Sequence, residues 1–314
     1  MYRIYLALIY FSLCWNHLTI LAQTQSFLER FEKMNPFPVQ THIPPYPVQL
    51  PGGGHLQGVQ YVEFSGNPKI YLSGSSNTVA YLMDYTPNVP NSPVSFYTLF
   101  PKPLKHAGGI QTWKNYLIVG IEDNRARDTS VVMIYDLQGE NSKLTPLITI
   151  SRSGSFERAT AGASAMEIWD YQHIVVVANW DSRDLDFYRS NGKALNDPDC
   201  SFTYWKSWNK ALADISAWID PFFRSYQNIN LIPTVDGRLL MIGFAREGEQ
   251  HFADIYRIDT GENTASQKML SKIYTREFFP DQTSFSAGAG IYVDDRSMKI
   301  YSCDYHRGIV EVFE

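Results

Sequence analysis

The stretch Gly58-Val59-Gln60-Tyr61-Val62-Glu63-Phe64 is followed by a Gly66-Asn67-Pro68 turn, then Ile70-Tyr71-Leu72-Ser73-Gly74, Val79-Ala80-Tyr81-Leu82-Met83-Asp84-Tyr85 and Val94-Ser95-Phe96-Tyr97-Thr98-Leu99-Phe100. Each run is rich in β-branched and aromatic residues and is bounded by Gly, Asn, Pro or Ser, so it reads as strand, turn, strand, turn, strand, loop, strand. The same order returns four times. It runs over residues 109–150, over 165–205, from Ile229 past an Asp236-Gly237 turn to Tyr274, and from Gly290 to Phe313. The third strand is the clearest anchor: Ala80-Tyr81-Leu82-Met83-Asp84, Val132-Met133-Ile134-Tyr135-Asp136, Leu185-Asp186-Phe187-Tyr188 and Ile255-Tyr256-Arg257-Ile258-Asp259 share alternation with an aromatic.

Four-stranded units that recur with no helix between them are the signature of a β-propeller. A β-sandwich also alternates, but it does not repeat a four-strand order. The expectation is an all-β, five-bladed propeller with four-stranded antiparallel blades. The fifth unit stops after three strands, so residues 37–43 or 46–50, whose prolines suit an edge, are expected to supply the missing outer strand. Residues 208, 211, 212, 215 and 218 or 219 keep helical spacing and predict a helical insertion near 208–220. Six blades is the alternative, if the segment from Cys200 to Gln227 hides another.

The 314 residues include 7 Trp, 20 Tyr and 18 Phe, with only 19% charged, which is the composition of a chain with a core. A net charge of −5 argues against nucleic acid as a partner. Residues 1–22, with Arg3, an apolar stretch and Ala22, resemble a secretory signal peptide; 23–36 read as a linker and 37–314 as one propeller domain. No later run is long enough for a membrane span, and the expected location is secreted or periplasmic. Cys200 and Cys303 fall on blades that are not neighbours, so both are expected to be free thiols.

In a propeller the loops entering the innermost strands and those joining second to third strands open on one face. The sequence places His55 and Gln60, then His106 and Gln111 at the same offsets, and Glu157 with Arg158 at entering loops. Trp180, Asp181, Arg183, Arg246, Asp304 and His306 fall in the second-to-third-strand loops. Each has a bland counterpart: the His and Gln pairs as ties between blades, loop charges as a solvated face, Trp180 as a packed blade edge. As a site they suit a ligand, with Trp180 stacking on a sugar. The acids Glu63, Asp170, Asp236 and Asp294 lie at the other end of the inner strands, which weakens a glycosidase reading of this rim. An enzymatic use of the rim would take Glu157 or Asp181 as acid or base with His106 or His306 as partner, or a metal on His55, His106 and Asp304. No nucleophile elbow, His-Glu-x-x-His, phosphate loop or calcium loop is present, and no cofactor is expected.

The phrases Asn179-Trp180-Asp181-Ser182-Arg183 before Leu185-Asp186-Phe187-Tyr188, and residues 236–244 before Ala253-Asp254-Ile255-Tyr256-Arg257-Ile258-Asp259, resemble those of uncharacterised secreted bacterial β-propeller proteins. The resemblance implies the fold and lends no catalytic residue. The expected function is a secreted binding or interaction propeller that takes a glycan, peptide or partner protein on the rim. The alternative is an extracellular hydrolase, glycosidase-like or metal-assisted, at the same rim.

Overall fold

The computed structural model describes residues 27–314 apart from 45–47, 90–91, 139–143, 156, 235–237, 260 and 262. The expected signal peptide, the Tyr46-Pro47 pair and the Asp236-Gly237 turn therefore lie outside the described residues. The described residues are all-β apart from a helix over 27–33 and three single-turn 3-10 helices.

After β1 (Gln40–His42), the strands β2 (His55–Phe64), β3 (Asn67–Ser75), β4 (Val79–Tyr85) and β5 (Ser95–Pro101) form one antiparallel meander. Next come β6 (His106–Trp113), β7 (Tyr116–Glu122), β8 (Thr129–Asp136) and β9 (Pro146–Ser153), then β10 (Ala163–Trp169), β11 (Gln172–Ala178), β12 (Asp184–Ser190) and β13 (Phe202–Asn209). These eight share one sheet, because the two meanders meet through a parallel contact of β10 with β6 at Ala163 and Gly109. The strands β14 (Asn228–Pro233), β15 (Leu239–Glu247), β16 (Gln250–Ile258) and β17 (Leu270–Phe278) make the next sheet. Last come β18 (Ala289–Val293), β19 (Met298–Cys303) and β20 (Val310–Phe313), and β1 pairs with β20 as Gln40 with Val312 and His42 with Val310. The N-terminal segment thus supplies the outer strand that the last meander lacks, and it covers two edges at once.

The innermost strands β2, β6, β10, β14 and β18 pack in succession, and β18 returns onto β2, which makes the ring of a propeller. The core sits between consecutive sheets. Val176, Phe187 and Trp208 pack against Met241 and Tyr256; Leu72 and Met83 pack against Tyr301 and Val312; Leu82 and Tyr71 pack against Val119 and Met133. Alternation in these strands is weak because both faces of each sheet are buried, which is why so many aromatics lie within them.

Two segments differ from expectation. Residues 27–34 are not simply a linker: Phe27, Phe31 and Met34 are buried, and Phe31 stacks edge-on to Phe278 and Tyr274. The insertion near 208–220 is not a helix. Trp208 belongs to β13, Lys210–Leu212 is a single 3-10 turn, and the rest is irregular and adds no strand among the described residues. Leu212, Ile215 and Ile219 of the expected apolar face are exposed. Polar anchors hold this segment instead: the Trp218 indole donates to the Leu270 carbonyl at 2.9 Å, Lys272 pairs with Asp220 at 3.0 Å, and Arg224 pairs with Asp254 at 2.7 Å. Lys272 and Asp254 are fully buried, and such groups remain charged only when partnered, so these pairs fix the path of the segment more firmly than helix periodicity does. Cys200 and Cys303 are both free, as expected, and both are buried.

Candidate functional site

The channel has two mouths separated by a plug. The inner strands approach so closely that a Cβ on Gly108 would lie 2.0 Å from the Gly162 carbonyl oxygen, and one on Gly109 would lie 2.6 Å from Asn228 Nδ2. Below these glycines three amides cross the axis. Gln60 Nε2 donates to Asn230 Oδ1 at 3.1 Å, Gln111 Nε2 donates to the Leu231 carbonyl at 2.9 Å, and Gln111 Oε1 accepts from the backbone N–H groups of Leu231 and Met166. Gln60 and Gln111 are therefore cross-braces and not rim ligands. Five residues of strand carry them roughly 16 Å from their histidines, past the mouth and into the interior.

At the loop mouth a cavity of about 170 Å³ is lined by Gln57, His106, Glu122, Trp180, Tyr226 and Gln227 among others. Most of its polar groups contact one another. Gln57 Nε2 contacts the Nε2 atoms of both His55 and His106, the latter at 3.1 Å, while Gln57 Oε1 accepts from Gln227 Nε2 at 2.7 Å. His106 Nδ1 lies 3.2 Å from Glu122 Oε1, a close contact that is not aligned as a hydrogen bond. Glu122 Oε2 accepts from the Ala161 N–H at 2.7 Å. Burial lowers the His55 pKa, helped by the neighbouring His106 and His306, so its ring favours the neutral form that accepts from Gln57. Trp180 carries the His106 ring at 5.8 Å and the Arg127 guanidinium at 4.0 Å, so protein groups already occupy its ring.

The other rim residues are engaged elsewhere. Glu157 binds Arg127 at 2.6 Å and also Arg183; burial opposes ionisation, but the two guanidinium groups hold its pKa below the ordinary value. Arg158 pairs with Asp186, which also takes Arg152 at 2.6 Å. Glu157, Arg158 and Arg183 line a separate groove of about 450 Å³ with Lys210, away from the axial cavity. Asp181, which does line the axial cavity, accepts from Ser225 Oγ at 3.0 Å; Arg246 pairs with Glu249 at 2.8 Å, and His306 Nδ1 lies 3.3 Å from the Gly54 carbonyl oxygen. Asp304 accepts from the N–H groups of His306, Arg307 and Ile309, which organises its own turn. The expected metal set of His55, His106 and Asp304 is not assembled, and no group of three or more metal-binding side chains occurs among the described residues.

The hairpin mouth, at the turns between first and second strands, holds the larger cavity, about 500 Å³. Tyr61, Glu63, Trp113, Lys114, Glu167 and Tyr292 are among the residues lining it. Glu167 is only 8% exposed. Burial raises its pKa to about 7, against the opposing pull of the Ile168 N–H, the Trp113 indole N–H and the Lys114 charge. His173 stands edge-on to Trp113 at 4.9 Å, and burial lowers its pKa to about 4, so it adds no positive charge beside Glu167 at neutral pH. Across the cavity the Tyr61 hydroxyl donates to Glu63 Oε2 at 2.9 Å, and the Tyr61 ring meets Tyr292 edge-on at 5.0 Å. Sequence reasoning set this end aside and overlooked Glu167. The signal was present: an acid lies between Met166 and Ile168 in an innermost strand, where an acid is costly unless it serves a site.

No family model matches the chain, and no curated protein matches it in sequence. Solved structures are similar to it in arrangement. A GH43_1 enzyme from Xanthomonas citri complexed with xylose is 10% identical, with 85% of this chain and 89% of that one covered and a TM-score of 0.45. A GH43 β-xylosidase/α-arabinofuranosidase from a compost metagenome is 9% identical over 87% and 94%, at 0.48. An endo-arabinase from Bacteroides thetaiotaomicron is 10% identical over 87% and 97%, also at 0.48. All three carry the names of enzymes. The expectation of a non-enzymatic binding propeller with its ligand on the loop rim is corrected on the geometry of this chain. The physical reason lies in this chain: the rim groups meant to hold the ligand, Trp180 above all, are already occupied by their neighbours.

Proposed function

We propose that the protein is an extracellular hydrolase acting on a glycosidic bond at the hairpin mouth of a five-bladed propeller. The observation that carries this reading is Glu167, a buried carboxyl in a cavity of about 500 Å³ whose pKa is raised to about 7. A carboxyl that keeps its proton near neutral pH is the proton donor that glycoside cleavage requires. Glu63, lining the same cavity, is the second carboxylate, with Tyr61 fixing one of its oxygens. In this scheme Glu167 protonates the leaving oxygen, and Glu63 either activates water or attacks the anomeric carbon. Tyr61, Tyr292 and Trp113 supply aromatic surface for the sugar.

The blade count is supported by the succession of inner strands and by an insertion without strands. Export is supported by the leader-like residues 1–22. The chemistry as written uses side chains and water alone.

The test is a panel of oligosaccharides incubated with the purified protein. Turnover of at least one is expected, and Glu167→Gln is expected to reduce it about 10²- to 10⁴-fold while the variant still unfolds cooperatively. A panel without turnover, or an unimpaired Glu167→Gln, would overturn the reading.

A further inference from the structure

Among the described residues, Lys114 is the only cationic side chain lining the hairpin cavity. No ion pair of Lys114 with a carboxylate occurs among the described residues; its ammonium instead lies over the Trp113 ring, 4.5 Å from the centroid. The same indole donates its N–H to Glu167, so the cation stands beside the proposed proton donor. Near neutral pH and below, that donor is substantially uncharged, leaving Lys114 without a full counter-charge on its own side of the mouth. Glu63 stands across the cavity, where the Tyr61 hydroxyl donates to it, and it forms no ion pair with Lys114. Lys114 also holds a positive φ of 53°, a conformation that Gly or Asn adopts more readily, so the turn carries this side chain against its local preference.

We propose that the hairpin mouth takes a saccharide bearing a carboxylate, a uronic-acid unit, whose anion pairs with Lys114 while the ring lies among the aromatic side chains. This rests on the hydrolase reading for its site but not for its test. A carboxylate suits a single ammonium: one negative charge meets one point charge, and the aromatic surface around it favours a flat, largely uncharged ring.

The experiment measures calorimetric affinity of galacturonate oligomers and of their methyl esters, which keep the sugar and remove the charge. The protein is Glu167→Gln, so that hydrolysis does not interfere, with its melting temperature checked against wild type. The free acids are expected to bind about tenfold more tightly than the esters, the size of a partly solvated charge-assisted hydrogen bond. That preference is expected to shrink with added salt and to disappear in Glu167→Gln with Lys114→Met, while ester affinity stays unchanged. Equal affinity for acid and ester, no binding of either, or a preference that survives Lys114→Met overturns the proposal. The two readings fail separately. Acid-selective binding lost with Lys114, but without turnover by wild type, removes the hydrolase and keeps the uronate site. Turnover of neutral sugars alone does the reverse.

Discussion

At the loop mouth, Gln57, His55, His106, Glu122 and Gln227 direct their hydrogen-bonding groups at one another inside a cavity of about 170 Å³. At the hairpin mouth, Glu167 and Lys114 stand in a cavity about three times larger, and among the described residues neither closes an ion pair, although the Lys114 charge is felt at Glu167. The two ends of one channel thus treat polarity in opposite ways. Many polar groups brought close together largely bond one another, and the space they leave is small. One acid placed among apolar strands has little to pair with, and burial then shifts its pKa toward the value a general acid needs. The density of polar residues in a loop is therefore a poorer guide to chemistry than the isolation of one in a strand.

The contrast breaks most visibly at Glu167. If the hairpin mouth is the reactive one, Glu167→Gln lowers turnover by about 10² to 10⁴, whereas His106→Ala lowers it by less than about tenfold. Initial rates on the same substrate decide, and the reverse order would exchange the roles of the mouths. The plug between them is tested by Gln111→Ala, which leaves the Leu231 N–H and C=O and the Met166 N–H without their amide partner. A loss of about 3 kcal/mol in urea unfolding is expected, since each buried orphan costs about 1–3 kcal/mol and some recover water. Trp180→Ala should cost about 1–2 kcal/mol through its lost ring contacts and leave KM unchanged. A rise in KM would restore Trp180 as a ligand platform.

The comparison sharpens with pH. The folded state holds the Glu167 proton up to about pH 7, against an ordinary value of 4.5, so its contribution to stability is full below 4.5 and lost as pH rises to about 7. His173 runs the other way: its folded value is about 4 against 6.5, so its contribution is present above 6.5 and lost as pH falls toward 4. The two slopes oppose each other in wild type. Glu167→Gln removes one of them, so relative to wild type its melting temperature should be higher at pH 8 than at pH 5, and wild-type activity should fall above about pH 7. A pH-independent difference would show that Glu167 titrates normally. The smallest effect expected is none: reducing agent leaves the melting temperature unchanged, because Cys200 and Cys303 are both free.

Much of the fold was legible because strand grammar is local. The runs around Gln60, Tyr135 and Tyr256 repeat the same turn chemistry, and the missing outer strand pointed to the N-terminal segment that now pairs as β1. The insertion misled because Trp208 and Trp218 happen to fall at helical spacing, while the contacts that shape it, to Asp254 and Leu270, lie tens of residues away. The site was harder to read. His106 and Gln111 sit in one strand but end in different places, one at a mouth and one inside the plug, and nothing in their spacing says which is which.

The sequence by itself determined an all-β chain of repeated meanders, two unpaired thiols and a low net charge, since these follow from period, turn residues and composition. Only the tertiary structure decided which end of the channel is crowded and which is roomy. That depends on how far apart five strands from distant parts of the chain stand at each end, and on whether a buried acid such as Glu167 meets a partner there; both are properties of packing.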